Sequence, residues 1–316
     1  MSHHRDGARS AELERIRTID AAIVGSGLTV SKRAYAALHF YNLLTPDGYN
    51  PKTKKGRAKG YSTAIMHFAP ANLSGFDVCQ YRSAGCTAAC LNTAGHGGIV
   101  LPGQTVDQNE VQRARVARTL TYFVNRFLFN VVLVREIETH VRRATAHDLT
   151  PAVRLNGTSD LPWERIRLND GRTVFETFPD VQFYDYTKHF KRAMASARGQ
   201  LPANYRICFS RSETNWNECV DVLNAGGTVA VVFNICECKR ACHHEIPESG
   251  ATYNGFPVIN GDADDLRHLD APGVIVGLKA KGLAKSDASG FVVPMMLYPK
   301  VVKLRAQRRA RALKAA

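Results

Sequence analysis

The 316 residues are enough for one large or two medium domains, and a hydrophobic content of 45% is ordinary for a globular core. The 42 lysines and arginines outnumber the 28 acidic residues, and the net charge of +14 favours polyanionic ligands such as nucleic acid or nucleotides. The sequence has no apolar run of about 18 residues, which argues against a transmembrane helix, and it starts without the apolar segment of a secretory signal. We therefore expect a cytoplasmic protein without a membrane partner.

Residues 1–60 are predicted to form a helical N-terminal appendage. Helices near Ser10–Ile23 and Ser31–Leu44 precede a polar loop that contains prolines, glycines and a cluster of lysines. Basic residues concentrate in this loop and in a tail over residues 299–316. Two interpretations of these segments remain open, namely a solvated surface and a phosphate-binding surface.

The first predicted strand of the following domain is Tyr61–Phe68. After it comes a loop with three cysteines, and then a helical region over about residues 107–148. Its apolar stripe, which includes Phe123 and Phe127, is predicted to face the core. From Pro151 onward, short apolar runs alternate with helix-length segments. The predicted strands in this part are Ala152–Leu155, Val181–Tyr184, Tyr205–Phe209, Thr228–Phe233, Pro257–Ile259 and Val274–Leu278.

Strands that alternate with helices indicate parallel βα units with right-handed crossovers. Six or seven such strands favour an α/β fold with a partial or closed βα barrel, similar to a TIM barrel, over residues 61–298. In such barrels the carboxyl ends of the strands and the loops after them build the active site.

Charged or amide side chains follow each predicted strand. Burial of such groups is costly unless they meet a ligand, a metal or each other. Helix capping would explain a single case, such as Ser159 or Asp160, but the recurrence predicts a shared polar site. The predicted catalytic residues are Asp160, Asp185, Lys188, Glu213 and Asp262, and the predicted cofactor- or anion-binding residues are Asn156, Ser159, Ser210, Arg211, Lys279 and Lys281.

Cys79, Cys86 and Cys90 lie on the loop after the first predicted strand. A reducing cytosol disfavours structural disulfides, so clustered cysteines there indicate metal binding or catalysis. Three thiolates from one loop suit a [4Fe–4S] cluster with one open iron. Two alternatives stay open: a zinc site completed by a donor such as His96, and three ordinary buried cysteines.

A second group places three thiols and two imidazoles within nine positions. Its ligand types and spacing suit zinc. The alternatives are that it supplies ligands to the cluster, or that it is an insertion without metal. The candidate ligands of this second site are Cys236, Cys238, Cys242 and His244.

The ordered motifs of this chain resemble the gene product 88 family of actinobacterial phages. The resemblance covers about residues 60–293 and implies a phage protein in the cytoplasm of the bacterial host, without implying an activity. The motifs are Cys90–Gly95, Arg154–Glu164, Phe183–Lys188, Phe209–Glu213, Asp262–Asp270 and Gly277–Gly282.

The cysteine loop is also similar to that of radical S-adenosylmethionine enzymes, which carry three cluster cysteines after the first strand of a partial βα barrel. The intervals between the cysteines are six and three residues here, against three and two in that family. The resemblance implies cluster ligation by the same three cysteines, with S-adenosylmethionine on the open iron. The segment from Asn156 to Ser159 would then meet its methionine amino group.

Three functional hypotheses follow, and the oligomeric state stays open in each of them. The first is a cluster-dependent, radical-type enzyme that acts on a nucleotide, nucleobase or nucleic acid. The second is a nucleic-acid-binding phage replication factor whose metal is structural and whose basic tail binds phosphate. The third is a zinc-containing barrel that resembles base-exchanging transglycosylases, with an aspartate nucleophile at a strand end.

Overall fold

A computed structural model of the chain describes residues 42–49, 51–99, 109–234 and 250–293. The first predicted N-terminal helix and most of the second lie outside these residues. The Cys236–His244 group and the basic tail also lie outside them. The domain boundaries predicted at residues 60 and 298 stay predictions.

The described residues form a mixed α/β structure with a nine-stranded sheet. The strand order is β1-β2-β3-β4-β5-β6-β9-β8-β7. The pairs β1–β2 and β7–β8 are antiparallel, whereas β2–β3, β3–β4, β5–β6, β6–β9 and β8–β9 are parallel. The strands are β1 (Leu44–Thr45), β2 (Tyr61–Met66), β3 (Thr150–Arg154), β4 (Gln182–Thr187), β5 (Tyr205–Ser210), β6 (Thr228–Phe233), β7 (Ala251–Tyr253), β8 (Phe256–Asn260) and β9 (Ile275–Lys279).

Helices occupy most of the connections between the parallel strands. None of the helices in the described part of the chain is long and apolar enough to cross a membrane. They are α1 (Pro51–Gly56), α2 (Ala84–Ala88), α3 (Glu110–Val124), α4 (Arg126–Thr145), α5 (Val174–Thr177), α6 (Phe190–Ala197) and α7 (Trp216–Asn224).

The parallel βα arrangement predicted from the sequence is confirmed, but a closed barrel is not. In the described residues β1 and β7 are edge strands that do not pair with each other, so the sheet is open. The two antiparallel edge strands were not predicted. β1 has two residues and β7 has three, which is too short for a period-two pattern to show in the sequence.

The chain divides into two compact units. Unit 1 comprises Met1–Asn50, Arg57–Gln80 and Gly95–Phe183, and unit 2 comprises Pro51–Gly56, Tyr81–Ala94 and Tyr184–Ala316. Each unit is described below by itself.

Unit 1 has an aromatic core. Phe68, which follows β2, packs on Tyr122 of α3 and Phe129 of α4, with ring centroids 5.3 Å and 5.8 Å apart. Tyr122 also packs on Trp163 at 5.8 Å. Stacked, tilted and edge-to-face aromatic pairs of this kind add about 0.5–1.5 kcal/mol each beyond the burial of their area.

Around residue 125, the sequence analysis assigned the wrong residues to the buried side of the helical region. Asn125 ends α3 and accepts a hydrogen bond from the amide of Leu128 as the cap of α4, so the helical period restarts there. Phe123 and Phe127 are consequently exposed, and Tyr122 and Phe129 are the buried aromatic residues.

The strands of unit 2 are apolar on both faces. Helices α6 and α7 cover one face, where Phe209, Val231 and Phe233 pack against Val222. Cys208, Ala230 and Val276 form a smaller cluster of buried residues. Alternate residues of each strand therefore meet different neighbours, as the strand period of two requires.

The segments that follow β2 and β3 lie so close together that position 157 requires glycine. The amide of Gly157 donates to the carbonyl of Met66 at 2.8 Å. A Cβ at this position would collide with that same carbonyl oxygen and with the side chains of Ile65 and His67.

We predict that Gly157→Ala lowers the free energy of unfolding by about 1–3 kcal/mol, the usual cost of overpacking. Urea denaturation followed by circular dichroism measures this loss. Gly171→Ala is the control, since Gly171 has a positive φ of 83° but no atom near its missing Cβ. It carries only a backbone cost of about 1 kcal/mol. Equal losses in the two variants would contradict the steric argument.

Candidate functional site

A short helix carries one of the three loop cysteines, Cys86, and Cys90 follows the end of that helix by two residues. Helix α2 begins after Ser83, whose Oγ accepts a hydrogen bond from the amide of Cys86 at 3.1 Å. Serine is a strongly preferred N-cap because its oxygen satisfies an amide that has no partner within the helix. Cys86 and Cys90 are half-buried and not in a disulfide. Their thiols are thus partly accessible.

Glu213, just beyond β5, holds this helix in unit 2. Its carboxylate accepts a hydrogen bond of 2.6 Å from the Ser83 hydroxyl and one of 2.8 Å from the Gly85 amide. Burial acts to raise the pKa of Glu213, but these hydrogen bonds and the nearby Lys188 outweigh it, so the pKa lies below its ordinary value. An ionised carboxylate therefore joins the cysteine helix to the carboxyl end of β5.

Glycine at position 85 is what permits this contact. A Cβ there would collide with the Ser289 hydroxyl and would lie 2.7 Å from the Phe291 Cβ and 2.9 Å from the Glu213 carboxylate. On the next turn, Ala89 packs in an apolar cluster with Ala280, Ala284 and Val292. Small residues thus bring the cysteine helix close to its neighbours in unit 2.

Cys79 lies in unit 1, beside the loop that follows β3. Its Sγ is 3.7 Å from the carbonyl of Thr158, and its amide donates to Asp77 at 2.9 Å. Asn156, only 2% exposed, organises this loop, since its Oδ1 accepts from the Ser159 hydroxyl and from the Leu161 amide. Asn156 and Ser159 therefore bond to each other within the loop that supports Cys79.

The three loop cysteines differ from the two buried ones. Cys79, Cys86 and Cys90 are half-buried, whereas Cys208 and Cys219 are at most 1% exposed, and burial raises the pKa of each of these two thiols to about 12. Thiolates rather than thiols bind metals, so the loop cysteines are the better ligands. Among the described residues, no group of three or more His, Cys, Asp or Glu side chains is arranged to hold a metal ion.

Asp262, after β8, bonds to the end of β9. Its carboxylate accepts from the Lys279 amide and from the Lys281 ammonium group, each at 2.8 Å. Lys55 of α1 donates to the carbonyl of Asp262 at 3.2 Å. The side chain of Lys279 itself is exposed. Three lysines and one aspartate thus leave this strand end with net positive charge.

Arg211 and Lys188 lie next to the loop around residue 290. Arg211 donates to the carbonyls of Gly290 and Phe291, both at 2.8 Å. The Lys188 ammonium group lies 3.5 Å from the Arg211 carbonyl and 5.0 Å from the ring centroid of Phe291. Ser210 ends β5, and its carbonyl accepts from the Asn215 amide group. Unit 2 therefore gathers Ser210, Arg211, Lys188 and Glu213 at neighbouring strand ends.

Asp185 of β4 lies in the interior of unit 2. Its carboxylate is 1% exposed and accepts from the Tyr205 hydroxyl at 3.1 Å, while Arg192 of α6 donates to the same hydroxyl. This is a buried network beneath a helix. Asp160, in unit 1, is half-buried and its amide donates to the Val78 carbonyl. The catalytic roles predicted for both aspartates stay predictions.

A basic group in unit 1 was missed by the sequence analysis. His67 follows β2, and burial together with Arg115, Arg154 and Arg118 lowers its pKa to about 3. Arg115 and Arg118 are at most 9% exposed on α3. In the sequence these two arginines appear only as a pair three residues apart within an apolar helical pattern. Such a pair is equally typical of a solvated helix face.

Comparison with known proteins gives one match. The family model Gene product 88 matches residues 42–294. The chain belongs to the Gene product 88 family. A search of curated proteins and a search of solved structures gave no match.

Membership in the Gene product 88 family confirms the resemblance seen in the ordered motifs, and the matched range contains all the candidate residues. The similarity to radical S-adenosylmethionine enzymes gains no support from these comparisons. The second cysteine group lies within the matched range but outside the described residues. Its zinc site, and the transglycosylase-like hypothesis that depends on it, stay predictions.

We predict that the stabilising effect of Glu213 in this Gene product 88 protein depends on pH. Because its pKa in the folded state lies below the ordinary 4.5, its contribution is present above pH 4.5 and is lost as the pH falls through the folded-state pKa. Glu213→Gln should lower the unfolding free energy at pH 7 by about 1 kcal/mol, since this half-exposed site loses one charge-assisted pair.

Thermal melts of the wild type and Glu213→Gln between pH 7 and pH 3.5 measure this difference. It should shrink below about pH 4.5. Glu218→Gln, on α7 nearby, controls for the general loss of one carboxylate. A wild-type advantage that grows at low pH would contradict the prediction.

Proposed function

We propose that this chain is an iron–sulfur protein in which Cys79, Cys86 and Cys90 hold a [4Fe–4S] cluster with one open iron. The observation that carries the proposal is the Glu213 contact, which fixes the helix of Cys86 at the carboxyl end of a parallel strand, with the half-buried Cys90 two residues beyond the helix. Cys79 precedes Cys86 by seven residues on the same loop. Three thiols of this kind are the donor set that soft metals prefer.

The arrangement of the strands supports an enzyme rather than a structural metal site. Strands β2 to β6 are neighbours in chain order, which is the order of a partial βα barrel. In folds of that kind, ligands bind at the carboxyl ends of the strands. We therefore propose a partial barrel whose site includes the cysteine loop.

The cationic groups of unit 2 suggest the class of substrate. Lys188, Arg211, Lys279 and Lys281 lie at or just after strand ends, and Asp262 pairs with the last of these side chains. Cationic side chains at such positions attract phosphate oxygens. We propose that they bind the anionic part of a nucleotide or nucleic acid, while Glu213 and Asp262 position the surrounding loops.

When bound, a cluster with an open iron would supply redox or radical chemistry, with S-adenosylmethionine as a candidate cosubstrate. The described residues have separate tasks. Glu213 fixes the cysteine helix, Asp262 fixes the end of β9, and Arg211 fixes the loop at residues 290–291 through two carbonyl contacts.

A second candidate function is nucleic-acid binding without catalysis. It is favoured by the exposure of Lys54, Lys55, Arg57 and Lys59, four basic residues within six positions. Exposed cations at this density bind phosphate backbones without sequence preference and in a salt-dependent way.

The test is the metal content of protein purified without oxygen. We expect iron and acid-labile sulfide together with the broad visible absorbance of an iron–sulfur cluster. The triple variant Cys79→Ala, Cys86→Ala, Cys90→Ala should lose all three signals. The control, Cys219→Ala, removes a buried thiol with a raised pKa and should retain iron.

Two results would overturn the proposal. One is wild-type protein that holds neither iron nor sulfide after anaerobic reconstitution. The other is a folded triple variant that holds as much iron as the control. Zinc without iron would instead favour a structural metal and the nucleic-acid-binding function.

A further inference from the structure

Unit 1 contains a cavity of about 600 Å³ that none of the candidate site residues lines. Helix α4 forms one side of it, and β1 and β2 form the other. Cavities of roughly 300–1,000 Å³ with an apolar lining and a few polar groups are typical of small-molecule sites.

One part of the cavity wall is aliphatic. Among the lining residues that the structure describes, the only aromatic rings are the imidazoles of His140 and His147, so these residues offer a nucleobase no large ring to stack on. An aliphatic body fits this wall better than a planar one. The aliphatic residues are Leu44, Ala64, Leu128, Val131 and Val132.

The two carboxylates of the cavity lining already have hydrogen-bond partners within unit 1. Asp47 pairs with Arg57 at 2.6 Å. Glu136 accepts hydrogen bonds from the amides of Leu43 and Leu44, at 3.0 Å and 2.8 Å. These two carboxylates therefore do not compete with a bound anion for the remaining cations.

Two arginines of the cavity lining are available to bind an anion. Arg135 and Arg143 lie about two turns apart on α4 and are exposed. Within the described residues neither side chain forms an ion pair. A ligand with an apolar body inside the cavity and a carboxylate or phosphate at its mouth would supply the missing partner.

His140 is a buried histidine of the cavity lining. It is 7% exposed, and its Nε2 lies 3.0 Å from the Ser62 carbonyl and 3.1 Å from the Ala152 carbonyl. Because both partners are acceptors, Nε2 carries the proton and donates, which leaves the Nδ1 lone pair to accept. Burial lowers the pKa of His140, so the ring is neutral.

We propose that this cavity binds a free, soluble anion with an aliphatic body, of the class of medium-chain acyl carboxylates and alkyl phosphates. Arg135 and Arg143 bind the anionic group, the aliphatic wall holds the chain, and His140 accepts from a hydroxyl or amide on the ligand. The site is independent of the cysteine loop and of the proposed cluster.

Calorimetric titration of decanoate into the full chain tests this proposal. We expect saturable binding with one site, and decanol, which lacks the charge, should bind about tenfold more weakly. The double variant Arg135→Gln, Arg143→Gln should weaken decanoate binding about tenfold, whereas the matched control Arg142→Gln should leave it unchanged. Arg142 lies on the same helix and is exposed, but it does not line the cavity.

Val132→Trp tests the cavity itself. The larger side chain fills the aliphatic part and should abolish binding, with a melting curve to verify the fold. The proposal fails if the full chain does not bind decanoate saturably, or if neither the double variant nor Val132→Trp changes the affinity. Sedimentation with anionic phospholipid vesicles in the absence of decanoate binding would also overturn it, since that result points to a lipid surface.

Discussion

The carboxylate of Glu213 receives hydrogen bonds from the hydroxyl that caps the cysteine helix and from the first turn of that helix. Two constraints meet at this point. The helix requires Ser83 to satisfy its amides, and the close approach requires glycine at position 85. The placement of Cys86 and Cys90 in unit 2 depends on all three residues. Loss of the charge at position 213 would therefore affect the placement of this helix and of Cys90 after it.

Most of the sheet could be predicted because its strands are continuous apolar runs between polar segments. Thr228–Phe233 coincides with β6, and the other predicted strands agree with the structure to within a few residues. The edge strands could not be predicted. Two or three residues carry no periodic signal, and it is their partners β2 and β8 that make β1 and β7 strands.

The candidate site was predictable as a set of polar strand ends, but its contacts were not. Glu213 was recognised by its position after a strand, whereas its partner Ser83 is 130 residues away in the sequence. Asp185 shows a second limit of the prediction, which concerns the face of the sheet that a side chain occupies. Adjacent strand residues face opposite sides of a sheet, and when both sides are buried the pattern does not tell which side the helices cover. Tyr184 and Asp185 are both at most 1% exposed.

The order of the strands bears on how the chain assembles during synthesis. Strands β2 and β3, and likewise β5 and β6, pair with the strand made just before or after them, so each pairing can form while the remainder is still being translated. Strand β9 breaks this sequence because it lies between β6 and β8. The β7–β8 hairpin must wait for residues 275–279 before it can join the sheet, and until then β6 exposes an unpaired edge. Translation of β9 is therefore the step that pairs this edge of β6 and protects it from aggregation.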